Sequence, residues 1–99
     1  MDYKIFTRSL SLEEYKAKLT GKILFADSQE EVKRFIDAAM KALEQNKVNG
    51  YIILRFVEKI IGELDLFSPE KKDVQQESNI KIAKTIFNRI KKQLLHQID

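Results

Sequence analysis

Three long stripes of apolar residues run along this chain, preceded by a shorter one. In the first long stripe Val32, Phe35, Ile36, Ala39, Met40 and Leu43 recur at helical spacing, with Asp37, Lys41 and Glu44 opposite. Just upstream, Asp27/Glu30 and Ser28/Glu31 have capping-box spacing, and Asn49-Gly50 is a turn signal. A helix over about 28–46 is expected. The second stripe is wider. Ile52, Ile53, Leu54, Phe56, Val57, Ile60, Ile61, Leu64 and Phe67 cover about half of a helical circumference between Tyr51 and Phe67. A surface helix shows an apolar arc only somewhat wider than ~100°. The pattern therefore predicts a helix clamped by at least two others, at the middle of the core. The third stripe, Ile82, Ala83, Ile86, Phe87, Ile90, Leu94 and Ile98, predicts a helix over about 79–98 capped by Ser78-Asn79. Lys81, Lys84, Asn88, Lys91 and Lys92 fall on an adjoining arc, and Leu95 sits on the polar side.

Before these lies a weaker pattern. Ser11 and Glu14 have capping-box spacing, Leu12, Tyr15 and Leu19 follow at helical intervals, and Thr20-Gly21 offers a left-handed exit. A short helix over 12–20 is expected. Residues 3–6 and 22–25 read as short extended segments able to pair with each other. Ser68-Pro69 stops the second long helix, and residues 68–78, with Val74 their one aliphatic side chain, read as a polar connection or a poorly packed helical extension. The expected fold is all-α: one domain over residues 1–99, an antiparallel bundle of three long helices plus a short N-terminal helix, with 1–26 as an N-terminal arm.

Composition narrows the candidate jobs. Ninety-nine residues suit one core, and 43% hydrophobic with 33% charged residues is globular composition. Cysteine is absent, which removes disulfides, thiolate metal ligands and thiol catalysis. No apolar run is long enough to cross a membrane and no signal-peptide pattern opens the chain, so a cytoplasmic location is expected. Net charge is +3, but unevenly spread: residues 49–77 carry −2 and residues 78–99 carry +4. The latter comes from Lys81, Lys84, Arg89, Lys91 and Lys92 against Asp99, either a solvated helix face or a surface for an anionic partner.

Chemistry-bearing residues are few. The single histidine, His96, lies near the chain end on a polar face, without an orienting partner. Glu13/Glu14, Glu30/Glu31 and Glu63/Asp65 are pairs whose members diverge on a helix, so they suit capping and solvation better than metal binding. Glycines at 21, 50 and 62 build no phosphate loop, and Gly62, in mid-helix, either admits a close neighbour or is a tolerated defect. No catalytic residue, metal or cofactor is expected. The leading expectation is a small non-catalytic adaptor or regulator that binds another protein or itself as a homodimer, with Leu54, Leu66 and Leu95 as contact residues. A nucleic-acid-binding protein using the basic C-terminal helix is the alternative. A small immunity or antitoxin-like protein is a third reading, by analogy of size and helical class alone.

Overall fold

A computed structural model of the protein describes residues 11–67 and 73–98, and the expected extended segment at 3–6 lies outside them. All regular structure among the described residues is helical: α1 (Leu12–Leu24), α2 (Gln29–Gln45), α3 (Gly50–Leu66) and α4 (Val74–Ile98). The all-α bundle is thus as the periodicity predicts.

Local chemistry sets the helix ends. Ser11 and Glu14 form the predicted box, with Ser11 Oγ accepting from the Glu14 amide at 3.1 Å and Glu14 accepting from the Ser11 amide at 3.0 Å. Ser28 caps α2 at 3.1 Å from the Glu31 amide, while the Glu31 carboxylate accepts from the Asp27 amide at 2.8 Å. The second, Asp27/Glu30, box is therefore unused. α2 ends in a Schellman turn: the Lys47 amide bonds the Glu44 carbonyl and the Val48 amide the Leu43 carbonyl. Its left-handed position is Lys47, at φ 58°, rather than a glycine. Asn49 and Gly50 instead open α3, with Asn49 Oδ1 accepting from the Tyr51 amide at 2.7 Å.

Some local expectations need correction. Residues 22–24 are helical, not extended, because Ile23 and Leu24 continue the buried stripe of α1 past Thr20-Gly21 and helix burial outweighs the glycine signal. α4 starts at Val74, five residues before the expected cap, because Asp73 Oδ1 accepts from the Gln76 amide at 3.1 Å. Asn79 is not a cap but a wholly buried residue inside that helix. Of the two readings of Gly62, the tolerated defect fits, since open space surrounds the point where a Cβ would stand.

The helices alternate in direction. As α4 advances from Lys84 to Lys91, its ion-pair partners on α3 step back from Asp65 to Glu58, so these two run antiparallel. Glu13 and Lys16 of α1 pair with Lys59 and Glu63 of α3 in the same order, so those two run parallel. α3 is clamped by α1 and α4, as its wide stripe requires, but the helices packed against all three others are α1 and α4. α2 and α3 barely meet, despite their short connection. α1 and α4 therefore form the short diagonal of the bundle, with α2 and α3 on either side. Ile80, Ala83 and Phe87 of α4 lie buried in one cluster with Ile23, Ile36, Leu43, Val57, Ile60 and Leu64.

Asn79 ties the diagonal together. Its Nδ2 donates to the Ala26 carbonyl at 2.9 Å and reaches the Leu24 carbonyl at 3.4 Å, while its Oδ1 accepts from Gln75 at 2.9 Å. The Leu24 carbonyl closes the last turn of α1 and the Ala26 carbonyl follows it, so neither has a partner within the helix. Asn79→Ala leaves them buried and unpaired and is expected to cost about 2 kcal/mol. Urea unfolding monitored by circular dichroism checks this, and an unchanged midpoint would contradict the clamp.

Candidate functional site

Alternating helix direction brings the end of α1, the start of α2, the end of α3 and the start of α4 to one end of the bundle. This pole carries exposed apolar side chains beside the exposed polar residues Asp27, Gln29, Asp65 and Asp73. Phe25, Leu66 and Val74 are 77%, 86% and 73% exposed, and Phe67 is partly so. Phe25 stands between Leu24 and Ala26, whose carbonyls are held inward by Asn79 and whose side chains are buried, so its own ring is turned to solvent. Leu66 follows the buried Leu64 by two residues, about 200° around the helix, which puts it on the outer face. Beside the pole, a groove of about 520 Å³ between α3 and α4 has Leu64, Phe67 and Ile80 in its walls and Asp65, Lys81 and Lys84 at its rim.

The other residues singled out from the sequence are dispersed. Leu54 is only 7% exposed and offers no contact surface. Leu95 is 42% exposed, but near the C-terminal end of α4, away from the pole. Of the five basic residues, Lys84 is paired with Asp65, and Lys91 lies 3.7 Å from Glu58. Lys81 and Lys92 are exposed. Arg89 lies across the helix, in a groove with Glu30, Lys33, Arg34 and Asp37 of α2. The basic segment is therefore divided between two faces and partly neutralised by α3. His96 is exposed in the last turn of α4. Among the described residues no three histidine or carboxylate side chains gather as a metal site would require.

Sequence reasoning missed two parts of this surface. Phe25 was hidden inside an expected strand, and Val74 inside an expected connection. The usable signal was Val74 alone among polar residues directly after Asp73, a good capping residue.

A polar cluster on the α1–α3 face was also not foreseen. Lys16 is 6% exposed, yet it hydrogen-bonds Glu63 and lies 3.2 Å from Glu13. Glu13 also accepts from Lys59 at 3.2 Å, and the Thr20 hydroxyl donates to the Lys16 carbonyl at 2.9 Å. The lysine stem fills apolar space while its ammonium group meets two carboxylates, which offsets the cost of burying a charge. Glu63 holds the Lys16 ammonium group above its ordinary value of 10.5, against desolvation, with Glu13 helping. Lys59 and then Lys16 hold the Glu13 carboxyl below its ordinary value. Lys16 falls four residues after Leu12, on the same helical face as Leu12 and Leu19, but a charged residue on a buried face is legible as such only when its partners are known.

Family models, curated proteins and solved structures give no match to this chain. The functional reading therefore rests on its surfaces.

Because Lys16 binds its proton more tightly when folded, its ion pairs stabilise the fold fully below pH 10.5 and lose that contribution as pH rises through the raised value. Glu13 has the opposite sign: its contribution is present above its ordinary value and disappears as pH falls through the lowered one. The stability gap between wild type and Lys16→Met should be flat from neutral pH to about pH 10 and shrink above that, as read by urea midpoints. A gap that widens with alkali would contradict the pairing.

Proposed function

We propose that this chain is a small non-catalytic protein-binding module of the cytoplasm, an adaptor or regulator, and that it engages its partner through the apolar pole. The observation that carries the reading is the gathering of Phe25, Leu66 and Val74 at one end of an otherwise well-paired bundle, each more than 70% exposed. Single exposed apolar residues are ordinary, but several from three helices at one end make a contact surface whose burial releases water. A site of this kind gains most from a few buried anchors, here an aromatic ring and two aliphatic side chains. The adjoining groove, with its apolar walls and Lys81 and Lys84 at the rim, supplies the polar border such interfaces have.

The nucleic-acid reading has less support, because Lys84 and Lys91 already meet Asp65 and Glu58 and Arg89 faces away from them. Phosphate contacts would have to compete with these pairs.

The test is a set of surface variants compared in one assay. Sedimentation of the purified chain and affinity capture from extract are expected to show self-association or a captured protein for wild type. Phe25→Asp and Leu66→Asp should lose it at least tenfold, while Leu95→Asp retains it. Equal association or capture by Leu66→Asp and wild type would rule out the pole as the contact.

A further inference from the structure

A second recessed site lies at the opposite end of α3 from the pole. The first turns of α1 and the first half of α3 enclose a pocket of about 280 Å³ lined by Leu12, Glu13, Lys16, Ile52, Arg55, Phe56 and Lys59. Its walls are apolar: Phe56 is buried and stacks obliquely on Tyr15 with ring centroids 6.1 Å apart, and Ile52 is 45% exposed. Its polar groups are mostly cationic. Lys16 is a buried ammonium group fixed from behind by Glu63, Lys59 is an exposed one, and Arg55 makes no ion pair or hydrogen bond among the described residues.

The charges do not balance. The two carboxylates, Glu13 and Glu63, pair with Lys16 and Lys59, which leaves the charge of Arg55 in excess beside an apolar wall. Glu63 also lies 3.4 Å from the Thr20 hydroxyl, a turn further along α1, and is not part of the pocket lining. Glu13 is different. Its side chain is 65% exposed, yet it takes 3.2 Å contacts from both Lys16 and Lys59, as a bound carboxylate would.

We propose that this pocket binds a small amphiphilic carboxylate, its head group on Arg55, Lys59 and the buried Lys16, and its hydrocarbon body against Leu12, Ile52 and Phe56. In the free protein Glu13 holds the place of that head group. The volume lies just below the usual range of small-molecule pockets, roughly 300–1,000 Å³, which suits a ligand with one acidic group and a short chain or single ring. A cation fixed in a recess costs little reorganisation when an anion arrives, and charge-assisted hydrogen bonds are the strong ones. The site is separate from the apolar pole, so failure of either proposal leaves the other standing.

Isothermal titration with decanoate, benzoate, acetate and inorganic phosphate tests it. Decanoate or benzoate is expected to bind at one saturable site, with acetate and phosphate at least tenfold weaker. Arg55→Gln, a change at an exposed side chain, should weaken binding about tenfold, the worth of one charged hydrogen bond. Ile52→Ser should erase the preference for decanoate over acetate, and Glu13→Gln should tighten binding by removing the competitor. No saturable binding, equal binding of phosphate, or an affinity unchanged in Arg55→Gln would each overturn the proposal. Thermal melts of the three variants establish that each is folded under the titration conditions.

Discussion

Among the described residues α1, α2 and α3 all meet α4, and the buried line Ile80, Ala83, Phe87 is where they meet. α2 and α3 barely touch, so the two sides of the bundle have no substantial joint of their own. They are joined through the diagonal of α1 and α4. Phe87 has no exposed surface, and burying a side chain of that size contributes about 2–3 kcal/mol by area alone. Such contacts draw the helices together but fix neither their direction nor their register, since apolar attraction is non-directional.

Register comes from the few buried polar groups. Asn79 can satisfy its amide only where α4 passes the Leu24 and Ala26 carbonyls, so one axial position of α4 along α1 is selected. Lys16 does the same between α1 and α3, because sliding α3 by a turn would take Glu63 away and leave the buried cation with Glu13 as its one carboxylate. The two interactions sit near opposite ends of α1. Between them they set that helix against both its neighbours across the bundle.

The fold class and the boundaries of α2 and α3 were legible because their stripes are long and their caps, Ser28 and Asn49, stand beside them. The Ser11/Glu14 box was legible for the same reason. What misled was local signal overruled by packing. Thr20-Gly21 looks like a helix exit, but Ile23 and Leu24 gain more from burial than glycine loses in a helix. Asn79 looks like a cap because asparagine usually is one, and only the passing carbonyls of another helix reveal its buried role. The candidate site was less legible. Leu66 was found as an outward leucine, whereas Leu54, equally plausible by position, is buried. The breakup of the basic segment into paired and separated charges depends on Glu58 and Asp65 of α3, which lie 33 and 19 residues from their partners Lys91 and Lys84.

This architecture makes a stiff body with its apolar side chains displayed at one end, which suits recognition by preformed shape. The pole is assembled from α1, α3 and α4, so it exists only while the diagonal holds. Native-state hydrogen exchange on wild type and Phe87→Leu tests that dependence most directly. If α4 is the common wall, the substitution lowers the protection of core amides in all four helices by a similar amount, about 1 kcal/mol. Protection lost in α3 and α4 while α1 and α2 keep theirs would contradict it.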